Sequence, residues 1–242
     1  MLYLIGLGLN ENGYSREAYD AIVNADKVFL ETYTVEFPYD VSVYEKIFEK
    51  PIIPADRNFV ENLGLVDMAK DKNIVLLIYG SPLSATTHIT LIEEAKEKKI
   101  DYKVIHGASI FDAVAETGLQ LYKFGKVTSM AKWVKEKNFT PDSFIDVVKE
   151  NASINAHSLI LIDIGLDFKD ALRQFEESAE KKGFKLGKFI VASRLGCDDA
   201  VVKYNLIENF KERVGAVKGP FVFILPSEKL HHKEEEFLKN IS

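Results

Sequence analysis

Short, unbroken apolar runs that end at glycine or polar turns most restrict the folds open to this chain. Leu2 to Ile5, Val28 to Leu30 and Ile74 to Tyr79 carry no charge and no polar alternation. That is the pattern of parallel strands covered on both faces. Segments of helical period lie between them. Ala18, Ile22 and Ala25 share one face after Ser15, a residue suited to N-capping, and Leu91, Ile92 and Ala95 share another. Tyr102 to Ile105 reads as a further strand, leading to Ile110, Ala113 and Val114 on one helical stripe. The alternation predicts an open α/β unit.

Helical rhythm is lost across "GLQLYKFGK", Gly118 to Lys126, and a new set of elements follows. Two α/β domains are therefore expected, residues 1–116 and 117–242. In the second, Ser158 to Ile164, Lys188 to Ala192 and Phe221 to Leu225 read as strands, and Leu172, Phe175 and Ala179 mark a helix. Gly165, Gly183, Gly187, Gly196, Gly215 and Gly219 punctuate it as turns, with shorter pieces and hairpins. A chain of 242 residues with 47% hydrophobic content can give each domain its own core.

Charge and cysteine usage exclude several classes. The net charge of -6 comes from Lys and Arg scattered among Asp and Glu, without the basic stripe that neutralises a phosphate backbone, so direct nucleic-acid binding is not expected. One cysteine, Cys197, rules out an internal disulfide or a multi-cysteine metal cluster and suits a reducing compartment. The apolar opening "MLYLIGLGL" has no basic leader and meets Asn10 and Glu11 too early for a signal peptide or a membrane span. A cytoplasmic protein with no membrane association is expected.

Several familiar site patterns fail on spacing. Gly6-Leu7-Gly8 follows a strand as a dinucleotide fingerprint should, but Glu11 occupies the third glycine position. Gly183 to Lys188 is one residue short of a phosphate loop, and Phe189 stands where the metal-binding hydroxyl belongs. Ser109 in "HGASIF" lacks the second glycine of a nucleophile elbow. His231 and His232, before "KEEEF", read as the solvated start of a C-terminal helix rather than as metal ligands. His88, His106 and His157 lie near strand ends or turns, where a hydrogen-bonded structural histidine is the simpler reading for each. Cys197 reads as a small packing residue, with no basic neighbour to activate it. No metal site is expected.

Three loops remain. "GLGLN", "GSPLSATTH" and "HGASI" each follow a strand, and each is rich in Gly, Ser, Thr or Ala. Ligands of open α/β sheets bind at the carboxyl ends of strands, where small residues let main chain approach closely. The Gly80-Ser81-Pro82 turn is therefore expected to place main chain against a small ligand.

The succession "LYLIGLGL", "ADKVFLETYT", "GSPLSATTH", "VIHGASI", "TGLQLYKFGK", "VVKENASINAHSLILIDI" and "LPSEKLH" runs over essentially the whole chain. It resembles the diphthine synthase family, within the tetrapyrrole-methylase-like class of S-adenosylmethionine enzymes. "ATTH" with "YKFGK" is specific to that family, whereas the opening glycine loop is shared by the wider class. The resemblance implies two α/β domains of tetrapyrrole-methylase type with S-adenosylmethionine in the cleft between them, S-adenosylhomocysteine as product, and a homodimer. It implies trimethylation of the amino group of a modified histidine on translation elongation factor 2, to give diphthine, a step of diphthamide biosynthesis.

By the same resemblance, the cofactor contacts fall on Leu9, Ser81, Ser84, Ser109, Ile110, Ile162, Leu195 and Phe221. Few of these side chains are chemically distinctive, as main-chain recognition would require. The family carries Gly-Asp-Pro where this chain has Gly-Ser81-Pro. Methyl transfer from a sulfonium is an in-line displacement, so the protein has chiefly to align the amine with the methyl carbon at about 3 Å and to exclude water. The general base is not assigned; Tyr33, Tyr79 and His88 are candidates for lining the site. Two alternatives stay open: a corrinoid or porphyrinogen C-methyltransferase of the same fold, and a non-enzymatic module that binds a nucleotide-like ligand.

Overall fold

A computed structural model describes residues 1–62, 64–212 and 214–242. The chain divides into two compact units, Met1–Phe111 and Asp112–Ser242.

The first unit runs β1 (Leu2–Gly6), α1 (Arg16–Val23), β2 (Lys27–Glu31), α2 (Val43–Phe48), β3 (Ile52–Ala55), α3 (Arg57–Glu61), α4 (Gly64–Met68), β4 (Ile74–Ile78), α5 (Ile89–Glu97) and β5 (Tyr102–Ile105). Its sheet has the order β3-β2-β4-β1-β5 with every pairing parallel. Both faces are covered, which explains the unbroken apolar runs. Leu2, Leu4 and Leu76 pack with Leu91, Ile92 and Ala95 of α5 on one side. Ile5, Val75 and Leu77 pack with Ala18 and Ile22 of α1 on the other. Ser15 caps α1 as expected, its hydroxyl accepting from Ala18 N–H at 3.0 Å. β1 and β4 are neighbours whose following helices cover opposite faces, which makes their carboxyl ends the switch point where open α/β sheets bind ligands.

The strand β3 is not visible in the apolar pattern. It is an edge strand, half exposed, and its Pro54 is tolerated because an edge offers a side that needs no ladder donor. The helical stripe expected from Ile110 is shorter than its periodicity suggests. It forms only α6 (Ile110–Ala113) and a 3-10 turn, Val114–Thr117, which Gly118 ends at φ +77°.

The second unit contains β6 (Thr128–Met130), α7 (Ser143–Ser153), β7 (Ser158–Ile162), α8 (Phe168–Lys181), β8 (Phe189–Ser193), β9 (Val201–Asn205), α9 (Ile207–Lys211), β10 (Phe221–Leu225) and α10 (His232–Asn240). Its sheet is mixed, in the order β6-β7-β10-β8-β9, with β8 and β9 forming the antiparallel hairpin. An aromatic core of Phe144, Phe168, Phe175, Phe189, Phe210 and Phe223 underlies it. The near-match to a phosphate loop, Gly183 to Lys188, joins α8 to β8. A phosphate loop leads from strand to helix, so the resemblance is accidental.

The solvated reading of the "KEEEF" run holds only in part. His231 caps α10 and Glu234 completes a capping box, but the Glu234 side chain is only 1% exposed. Its carboxylate accepts from Gln120 N–H at 3.0 Å, His231 N–H at 2.7 Å, His157 Nε2 at 2.9 Å and Lys123 Nζ at 3.0 Å.

Candidate functional site

The three small-residue loops meet at the carboxyl edge of the first sheet. Gly8 and Gly80 form a β-bridge, Gly8 N–H donating to Gly80 O at 3.2 Å and Gly80 N–H to Gly8 O at 2.9 Å. A side chain on Gly107, in the loop after β5, would strike Gly8 N at 2.7 Å and Gly80 O at 2.8 Å. The loops thus touch through bare backbone, which only glycine permits here. Gly80 itself has φ +73°, yet a Cβ there would meet nothing closer than Ala108 O at 3.8 Å. Gly80 is required by its backbone angle, whereas crowding against neighbouring backbone falls on Gly6 and Gly107.

Five of the expected cofactor residues lie on these loops. Leu9 and Ser109 are buried, whereas Ser81, Ser84 and Ile110 are half-buried at the rim. The Ser81 hydroxyl is 3.4 Å from His106 Nδ1, too long for a strong bond. Ile162, Leu195 and Phe221 belong to the second unit. There β7 and β8 end and antiparallel β10 begins at one edge of the sheet, which brings these residues together. The Phe221 ring packs on Phe168 at 5.3 Å, so it is part of the aromatic core.

The three side chains considered as lining groups are all engaged. Tyr79 O–H donates to Leu9 O at 3.1 Å. Tyr33 OH lies 3.2 Å from His88 Nε2, and His88 Nδ1 lies 3.1 Å from Pro82 O. Burial, reinforced by the charges of Glu31 and Glu61 and opposed by Arg57, pushes the Tyr33 phenol up to about 12. Tyr33 is therefore a proton donor and not a base near neutral pH. Its loop is pinned by buried Glu31, whose carboxylate accepts from Tyr33 N–H and Thr34 N–H, each at 2.7 Å, and from Thr34 Oγ1 at 2.6 Å. Sequence reasoning passed over Glu31, although an acid ending an apolar strand was a signal.

His157 is structural, as its position suggested. Its Nδ1 accepts from Ser227 N–H at 2.9 Å, so the proton sits on Nε2 and is donated to Glu234. Burial depresses its pKa despite that carboxylate. Among the described residues no group of His, Cys, Asp and Glu is placed to hold a metal ion.

The tetrapyrrole (corrin/porphyrin) methylase family model matches residues 1–210. Over 99% of its length the chain is 34% identical to a diphthine synthase of Methanococcus maripaludis, of which it covers 98%. The chain belongs to the diphthine synthase family. A crystal structure of a putative diphthine synthase from Entamoeba histolytica, 28% identical, superposes with a TM-score of 0.89 over 100% of this chain and 98% of that one. The match to a diphthine methyl ester synthase of Schizosaccharomyces pombe is 38% identical but spans 68% of this chain and 58% of that protein. As a member of the diphthine synthase family the chain is a methyltransferase, with the two-sheet α/β fold of that family. Among the described residues no helix is long and apolar enough to cross a membrane.

Proposed function

We propose that this diphthine synthase relative uses S-adenosylmethionine to trimethylate the amino group of a modified histidine on translation elongation factor 2, in the cytoplasm and as a homodimer. The observation that carries the reading is the meeting of Gly8, Gly80 and Gly107 at the carboxyl edge of the first sheet, in a chain that matches diphthine synthases end to end.

The loops fit the cofactor by their chemistry. Gly6–Asn10, Gly80–Thr87 and Gly107–Ile110 contain no Asp, Glu, Lys or Arg, so recognition falls to backbone amides, carbonyls and small hydroxyls. The proposed contacts are Leu9, Ser81, Ser84, Ser109 and Ile110 of the first unit and Ile162, Leu195 and Phe221 of the second. Ser81 stands where the resemblance places an acid, so in this reading the cofactor's cationic amino group is met by main-chain carbonyls. When bound, the cofactor supplies an electrophilic methyl group. The chain's own work is alignment and exclusion of water, which need no covalent protein intermediate. The single cysteine supports a reducing compartment.

The test is methyl transfer to elongation factor 2 carrying, or lacking, the 3-amino-3-carboxypropyl group on its histidine. Mass spectrometry should find three added methyl groups on the modified factor and none on the unmodified one. Equal labelling of both forms, or of neither, would overturn the assignment. The partial match to a methyl ester synthase gives the second reading, and a fourth methyl group lost in mild alkali would select it.

A further inference from the structure

Pro82 is buried in the turn after β4, and its carbonyl oxygen accepts two side-chain hydrogen bonds from the segment that follows. Thr86 Oγ1 donates at 2.8 Å and His88 Nδ1 lies at 3.1 Å. Ala85, just before Thr86, takes a left-handed angle of φ 56°, and Ser84 N–H returns to Ser81 O at 3.1 Å, so the chain curls back over its own turn. A carbonyl can only accept, and Nδ1 of His88 must therefore carry a proton. In the Nδ1–H tautomer Nε2 keeps a lone pair. Tyr33, which keeps its phenolic proton, donates to it across 3.2 Å. His88 is 1% exposed and heads α5 without making a side-chain cap, so this bridge accounts for its burial.

We propose that His88 is a positioning residue for cofactor binding: as its Nδ1–H tautomer it ties the Pro82 carbonyl to Tyr33 and holds Gly80-Ser81-Pro82 in the path the cofactor meets. The proposal rests on the reading that this turn contacts S-adenosylmethionine. His88 touches no reacting atom. It acts on the turn, and Tyr33 acts on the tautomer. The histidine of "ATTH" is thus linked to "ETYT" on a different strand, with Glu31 fixing the tyrosine's loop.

Asparagine and glutamine separate the two arms. An Asn amide nitrogen reaches the place of Nδ1, whereas a Gln amide reaches that of Nε2. Calorimetric titration with S-adenosylhomocysteine should find His88→Asn close to the parent and His88→Gln weaker by about tenfold, the loss of one hydrogen bond. Folding of each variant is checked by circular dichroism. Nitrogen-15 spectra of histidine-labelled parent should show His88 protonated at Nδ1, with the Nε2 signal moved by Tyr33→Phe, a signature that mere packing would not produce. This spectrum decides the tautomer even if the His88 variants fail to fold. A ring protonated at Nε2, or His88→Gln binding like the parent, would overturn the proposal alone. A parent that fails to bind S-adenosylhomocysteine would overturn the cofactor reading and the proposal with it.

Discussion

Gly6 and Gly107 leave no room for a side chain. A Cβ on Gly6 would lie 2.5 Å from Gly80 O and 2.6 Å from Gly107 N, and these are backbone atoms that cannot rotate aside. Gly80 faces a different constraint, an angle that costs an L-residue about 1–2 kcal/mol but leaves room for a methyl group. Gly6→Ala must push the turns after β1, β4 and β5 apart, an overpacking of about 1–3 kcal/mol on top of a broken bridge. In urea denaturation, Gly6→Ala should therefore lose more stability than Gly80→Ala, and it should also lose more affinity for S-adenosylhomocysteine. A parent-like midpoint for Gly6→Ala would show that the loops are not in backbone contact.

The C-terminal helix α10 is anchored through its first turn. Glu234 meets the "YKFGK" segment through Lys123, and His157 accepts a main-chain bond from Gly125 at its own carbonyl, 2.9 Å. Asn151 brackets Lys126, its Oδ1 accepting from the Lys126 N–H at 2.9 Å and its Nδ2 donating to the Lys126 carbonyl at 2.8 Å. A motif that marks the family thus serves, in this unit, to staple an irregular segment to two helices. Burial alone would raise the Glu234 pKa, but its four donors outweigh that and hold it at about 2. Both members of the His157–Glu234 pair have depressed values, so both contribute stability at high pH and lose it on acidification. The loss begins below about 6.5, where an unfolded histidine takes up a proton that the folded one refuses. It continues below 4.5, the ordinary value of a glutamate, toward about 2 as Glu234 is protonated. Glu234→Gln presents an amide donor to groups that are themselves donors, and should cost about 3 kcal/mol near neutral pH. Its stability should also fall less steeply than the parent's below pH 4.5. A parent-like denaturation midpoint would show that the cluster does not hold the helix.

The assembled molecule is expected to be a homodimer, and light scattering at micromolar concentration should return about twice the 27.3 kDa chain mass; the monomer mass would refute this. How far the molecule was legible beforehand follows the reach of each signal. Central strands such as β1, β4 and β10 declared themselves because burial on both faces writes a continuous apolar run. The strands that escaped, β3, β6 and β9, all lie at sheet edges, where half the surface is exposed and a proline or a threonine is acceptable. The cap at Ser15 and the turn at Gly80 were readable because capping and positive φ are settled by residues a few positions apart. Leu9, Ser81 and Ser109 could be placed at strand ends, but nothing local says that Gly6, Gly8, Gly80 and Gly107 share one point of contact. That depends on β1 lying between β4 and β5, and on the parallel register Ile5 to Leu77 and Ile5 to Ile105. The chain's own pattern decided its class, its strand ends and its family. Tertiary structure alone decided which glycines crowd each other, which tyrosine His88 meets and where Glu234 is buried, because these partners are distant in sequence and no residue's immediate neighbours encode them.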